Sequence, residues 1–138
     1  MKIIRYLCLL FWLSTLCIGC SNTSTSSRDN VAVNPEQIAL ADSILSCLQQ
    51  EQFDKIVDHF DENLKMQLNK EQLAVVWAQL NTQFGKYSRN EFYKAEKIDA
   101  VGNKIIYQCY FGNKKLYFQL VLGKENRIIG LFFTHQLT

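Results

Sequence analysis

The sequence predicts an α+β fold in which three N-terminal helices pack on one face of a four-stranded antiparallel meander sheet. Two observations support this prediction. Apolar residues recur at helical spacing between residues 34 and 84, and three apolar runs separated by tight turn signals follow between residues 104 and 134. Helical patterns that are followed by consecutive hairpins are typical of helices segregated on one side of a sheet.

The helix boundaries follow from capping residues. Asn34 can cap the first helix and Pro35 fits its first turn. Asn69 can cap the third helix, which carries Trp77 on its apolar side and ends at Gly85. The predicted helices are 34–50, 53–60 and 69–84, with residues 61–68 as a looser connection.

The strands are predicted from hairpin signals. Gly112-Asn113 between two apolar runs indicates a two-residue turn, which sets Phe111 opposite Lys114 and Tyr107 opposite Phe118. Residues 90–99 are predicted as a weaker first strand with Phe92 facing inward together with Ile98. In the second hairpin the predicted opposing pairs are Leu122–Arg127, Leu120–Ile129, Phe118–Leu131, Leu116–Phe133, Tyr117–Phe132 and Val121–Ile128.

The sheet face directed away from the helices is also predicted to be apolar. Tyr110, Tyr117 and Phe132 lie on it, and contiguous exposed apolar surface usually marks an interaction site. We expect a homodimer through stacked sheets or the binding of an envelope protein here. The alternative is that the N-terminal tether or the C-terminal tail covers this face.

The N-terminus has the pattern of a bacterial lipoprotein signal. A short positive segment with Lys2 and Arg5 precedes an apolar run that ends at Gly19-Cys20, where the small residue would permit cleavage and the thiol would carry the lipid. An ordinary signal peptide or a retained N-terminal anchor is the alternative. The predicted organisation is a signal peptide at 1–19, a flexible polar tether at 20–33 and a single α+β domain at 34–138.

This organisation predicts a membrane-anchored lipoprotein of the cell envelope that faces the periplasm. The chain has 15 Lys and Arg against 13 Asp and Glu, and removal of Lys2 and Arg5 with the signal leaves 13 of each. A domain without net charge gives no electrostatic reason to expect a nucleic-acid partner.

Hydrophobic patterns in the folded part resemble those of a known family. The third helix ends Phe84-Gly85-Lys86-Tyr87, and the last strand reads Ile129-Gly130-Leu131-Phe132-Phe133. These features resemble a small secreted bacterial domain of unknown function that often precedes an alpha/beta-hydrolase domain. The resemblance implies a nuclear-transport-factor-2-like (cystatin-like) fold, a cone of helices over a sheet. It implies no catalytic residues, and no Gly-x-Ser-x-Gly nucleophile motif accompanies it here.

Few residues suggest chemistry. His59 with Asp54 or Asp58 is the candidate acid–base pair of a degenerate enzyme, although exposed polar residues explain the pattern better. Cys47 and Cys109 could form a disulfide or lie as two buried thiols. Cysteine and histidine spacing predicts no metal site, and no cofactor is expected.

Four aromatic residues could line a ligand cavity between helices and sheet, although aromatics at such spacing more often form ordinary core. They are Trp77, Tyr107, Phe118 and Phe133. The function expected from the sequence is therefore a non-enzymatic binding domain, with a small-molecule carrier as the alternative.

Overall fold

The computed structural model describes residues 34–137, which form an α+β domain. The helices are α1 (Pro35–Gln49), α2 (Phe53–Val57), α3 (Glu62–Gln67) and α4 (Lys70–Phe84), and the strands are β1 (Tyr87–Ile98), β2 (Gly102–Phe111), β3 (Lys114–Leu122) and β4 (Ile128–Thr134). The four strands form one antiparallel sheet in the order β1-β2-β3-β4, which confirms the predicted meander.

The two long helices begin as their capping residues predict. The Asn34 side chain accepts a hydrogen bond from the backbone N–H of Glu36 at 3.0 Å. At the start of α4, Asn69 and Gln72 exchange side-chain and backbone hydrogen bonds in a complete capping box. These local bonds satisfy N–H groups that have no partner inside a helix, so both starts can be located from sequence.

The predicted number of helices is wrong, because the segment expected to be a connection contains α3. The Asp61 carboxylate accepts from the backbone N–H of Leu64 at 2.8 Å and so starts this helix. Six residues are too few to show a clear apolar stripe, which is why periodicity did not reveal α3.

The first hairpin of the main sheet has the predicted register. Phe111 pairs with Lys114, Cys109 with Leu116, Tyr107 with Phe118 and Ile105 with Leu120. Gly112 has a φ of +54° and takes the turn position that glycine adopts most easily.

The register of the second hairpin differs from the prediction by two residues. Phe118 pairs with Phe133 and Leu120 with Leu131, and Tyr117 lies opposite Thr134. Lys124–Asn126 form a 3-10 turn, and an irregularity in the ladder leaves Ile129 without a partner on β3. A slip of two residues keeps each side chain on its predicted face, so the core side of the sheet is preserved.

Ile128 is the exception to this preserved pattern. It was expected on the outer face, but it is fully buried in the core. Its backbone joins the loop after α2, since Ile128 N–H donates to the His59 carbonyl and the Ile128 carbonyl accepts from Asp61 N–H, both at 2.9 Å. The extra residue at Ile129 breaks the alternation between the two faces.

The core lies between the helices and one face of the sheet. Helix residues and inward residues of β2, β3 and β4 belong to a single hydrophobic cluster. Its largest fully buried side chains include Ile44, Leu45, Leu48, Ile56, Phe60, Leu73, Phe111 and Phe118. The helical segment and the meander are therefore parts of the same packing unit.

Candidate functional site

The sheet face opposite to this core is the candidate site, and we call it the outer face. Phe132 on β4 is 52% exposed and Tyr93 on β1 is 45% exposed, so each edge strand of the sheet carries an exposed aromatic side chain on this face. The rings of Tyr93 and Tyr117 meet edge to face with centroids 5.5 Å apart. The predicted surface residues Tyr110, Tyr117 and Phe132 all project from this face, as the strand pairing shows.

The β3–β4 half of the outer face combines an apolar patch with a polar pair, in which the Gln119 side-chain amide donates to the Thr134 hydroxyl at 2.8 Å. The ring of Phe132 lies over Gly130, so close that a Cβ built on this glycine would stand 2.6 Å from a ring carbon and 3.5 Å from Val121 Cβ. The absence of a side chain at Gly130 therefore makes room for the aromatic ring. The result is a continuous apolar patch formed by Val121, Gly130 and Phe132.

The β1–β2 half of the outer face is charged. The guanidinium of Arg89 lies 3.7 Å from the centre of the Tyr110 ring and pairs with Glu91. Tyr110 donates its hydroxyl hydrogen bond to the same Glu91 carboxylate at 3.1 Å. A hydrogen bond from Arg89, and to a smaller extent one from Tyr110, holds the pKa of Glu91 below its usual value.

A second charged group lies further along the same two strands. Glu96 pairs with Lys94 and, across the strands, with Lys104 at 2.9 Å. Hydrogen bonds from Lys94 and Lys104 lower the pKa of Glu96. Positive and negative groups thus alternate along this half of the face.

Sequence reasoning missed the contribution of β1 to the outer face. The strand begins three residues earlier than predicted, and its ladder is irregular between Phe92 and Lys94. This bulge places Tyr93 against Tyr117 and moves Lys94 to the outer row. Ile98, predicted to face inward, pairs with Gly102 in the same row as the outer residues.

The predicted pocket-lining residues lie in the packed core. Trp77 is only 4% exposed, and its ring meets those of Tyr87, Phe111 and Phe133 with centroids 5.4–6.0 Å apart. The ring centroids of Phe118 and Phe133 are 5.1 Å apart. These rings fill the space between α4 and the sheet with contacts to one another.

The candidate acid–base pair is not brought together by the fold. His59, Asp54 and Asp58 are all exposed, and within residues 34–137 no hydrogen bond or ion pair joins the His59 side chain to either carboxylate. A general base needs a partner within hydrogen-bond reach, and this geometry does not supply one.

The two remaining thiols are free. Cys109 is buried on the core side of β2, Cys47 is half-buried on α1, and no disulfide joins them. Burial raises the pKa of the Cys109 thiol to about 12, so at neutral pH it behaves as a small apolar group. The third cysteine of interest, Cys20, lies outside the described residues.

Residues 34–137 contain no cluster of three or more cysteine, histidine or acidic side chains that could hold a metal ion. None of the helices in this part is both long and apolar enough to cross a membrane.

Comparison with known proteins identifies a family whose model matches most of the described residues. The model of a family described as a protein of unknown function, DUF3887, matches residues 41–131, from the middle of α1 to β4. A search of curated proteins and a search of solved structures found no significant match. The match confirms the predicted resemblance to a domain of unknown function: the chain belongs to the DUF3887 family.

Proposed function

We propose that this chain is a lipid-anchored, non-enzymatic interaction domain of the bacterial cell envelope, and that its outer face binds a second copy of the chain. The observation that carries the proposal is the set of exposed aromatic side chains on the outer face, where Tyr93 contacts Tyr117 and the Phe132 ring lies over Gly130. Exposed apolar patches on folded domains are characteristic of interaction sites.

We also propose that the helices cover one face of the sheet in the cystatin-like or nuclear-transport-factor-2-like manner. The support is the single core that combines helix residues with the inward residues of the strands. In this arrangement the outer face is the side of the sheet left for a partner, and related folds often pair through it.

A second copy suits the outer face because its two halves are self-complementary. In a two-fold pair with the axis across the strands, the β3–β4 half with its apolar patch meets its own copy. The charged half can also meet its copy, since Arg89 and Lys94 alternate with Glu91 and Glu96. A partner of one charge sign would leave some of these groups unmatched.

The size of the face predicts a weak contact. The strands have 12, 10, 9 and 7 residues. At about 4.8 Å between strands and about 3.3 Å per residue, they make a face of roughly 20 by 30 Å. Two such faces would bury about 1,200 Å² in total, which is at the lower limit for a specific complex. Confinement to one membrane by the anchor raises the local concentration and would favour pairing.

The anchor itself is tested at Cys20. Replacing Cys20 with serine removes the thiol directly after Gly19, so the protein should no longer incorporate labelled fatty acid or partition into detergent. The measurement is metabolic labelling followed by phase separation. Cys17→Ser is the matched control and should leave labelling unchanged. Labelled Cys20→Ser protein would contradict the assignment.

The dimer is tested by crosslinking in intact cells. A benzophenone amino acid in place of Tyr117 should yield a covalent dimer of the chain, because this side chain projects from the inner strand β3 on the outer face. The same probe in place of Met66, which is 79% exposed on α3, should yield none. The measurement is the dimer band on a denaturing gel.

Adding Phe132→Lys to the Tyr117 probe variant should abolish the dimer band, since a buried unpaired charge opposes contact. A Val75→Lys control on the helical side should leave the band unchanged. Adducts to another protein in place of a dimer, or a dimer band that survives Phe132→Lys, would refute pairing through this face.

A further inference from the structure

A groove between α1 and the core side of β1 carries chemistry that the outer face does not explain. Helix α1 packs against α2 and β2, so the inward residues of the edge strand β1 are only partly covered. Phe92 projects on this side opposite Tyr107, yet 49% of it is exposed. We call this space the α1–β1 groove, formed by Asp42, Tyr87, Asn90, Phe92 and Tyr107.

The polar centre of the α1–β1 groove is a phenol–carboxylate pair. Tyr107, which is otherwise buried, donates its hydroxyl to Asp42 Oδ1 at 2.6 Å. Asp42 lies at the exposed surface of α1, and within residues 34–137 this is its only side-chain hydrogen bond. One oxygen of the carboxylate is therefore held by Tyr107 while the other remains available to a ligand.

Aromatic side chains adjoin Tyr107 on the core side of β1. The rings of Phe92 and Tyr107 meet edge to face, with centroids 5.6 Å apart. Further along β1, the Asn90 side-chain amide donates to the hydroxyl of Tyr87 at 2.5 Å. Tyr107 therefore contacts both the exposed Phe92 ring and the Asp42 carboxylate, and it links the two groups that a ligand would meet.

The charge in the α1–β1 groove is negative. Burial, and for Tyr107 the bond to Asp42, raise the pKa of both phenols, so Tyr87 and Tyr107 remain neutral. The Cys109 thiol beneath them is also neutral. The nearest positive side chain in the inward row of β1 is Lys97, which pairs with Asn103 at the far end of the strand.

We propose that the α1–β1 groove binds an organic ammonium group, with Asp42 accepting its hydrogen bonds and Phe92 presenting its ring face to the cation. A carboxylate beside an exposed aromatic ring offers the two interactions by which proteins recognise such cations. A neutral ligand would leave the Asp42 charge unmatched, and an anion would be repelled by it. This site is independent of the outer face and of the lipid anchor.

The test uses the full-length chain in detergent micelles and n-butylammonium as the probe. Titration at millimolar concentrations should shift the NMR signals of the Asn90 side-chain amide and the Phe92 ring. The uncharged n-butanol, of similar size, should shift them little. Equal shifts with both probes would show apolar contact without recognition of the cation and would overturn the proposal.

Two variants test the separate roles of Asp42 and Phe92 in binding the cation. Asp42→Asn removes the charge but keeps an oxygen that can accept from Tyr107, and it should weaken n-butylammonium binding at least about tenfold. Phe92→Leu should weaken it several-fold through loss of the ring face. Glu36→Gln, on the same helix but away from the groove, is the matched control and should bind as the wild type does.

The proposal is overturned if n-butylammonium shifts no groove signal in the wild-type chain, or if Asp42→Asn binds it unchanged. If Asp42→Asn loses the dispersed spectrum of the folded domain, the Phe92→Leu result decides. If the folded Phe92→Leu chain binds n-butylammonium with unchanged affinity, the site is refuted. If its affinity for n-butylammonium falls while its response to n-butanol does not change, the site is supported.

Discussion

Trp77→Ala should lower the free energy of unfolding by about 3–5 kcal/mol, because it removes a large buried ring and leaves a cavity in the core. Trp77 contacts three other aromatic rings, on β1, β2 and β4, so the surrounding structure has little freedom to close the space. A domain of this size has a total stability of roughly 5–15 kcal/mol, so the loss is a large fraction of it.

Urea unfolding followed by far-ultraviolet circular dichroism measures this effect. Glu71 lies on the same helix and its side chain is exposed. Glu71→Ala should therefore change the free energy of unfolding by less than about 0.5 kcal/mol. The loss of unfolding free energy for Trp77→Phe should lie between those of Trp77→Ala and Glu71→Ala. Equal effects of Trp77→Ala and Glu71→Ala would contradict the packing of α4 on the sheet.

Gly102→Ala is expected to lower the free energy of unfolding by roughly 2–5 kcal/mol, through backbone strain together with steric overlap. Gly102 has a φ of +150°, and a Cβ on it would stand 1.9 Å from the carbonyl oxygen of Leu122. The same Cβ would stand 2.9 Å from the carbonyl carbon of Leu122. Both atoms belong to the backbone of the neighbouring strand, so no side-chain rotation relieves the overlap.

Gly130→Ala is the control for this substitution. A Cβ at Gly130 would also meet a close neighbour, but that neighbour is the exposed ring of Phe132, which can rotate away. The change in free energy of unfolding should stay below about 1 kcal/mol. If Gly130→Ala destabilises as much as Gly102→Ala in the same urea titration, then strain at the start of β2 is not the cause.

Local signals were sufficient for much of the fold. The asparagine caps of α1 and α4 could be predicted because their partners lie within three residues along the chain. The Gly112 turn likewise set the register of the first hairpin, since a two-residue loop leaves one way to pair the strands. Alternation then placed Tyr110, Tyr117 and Phe132 on one face.

The sequence by itself determined the α+β class, the meander and the identity of the two sheet faces, because these depend on periodicity and on turns of a few residues. Only the tertiary structure decided the pairing of Phe118 with Phe133, the burial of Ile128, the position of Tyr93 and the bond between Tyr107 and Asp42. Each of these depends on a bulge or on a contact between residues distant in the chain. A bulge shifts by one residue the alternation of side chains between the two sheet faces. Neither the hydrophobic pattern nor the turn residues indicate where that shift occurs.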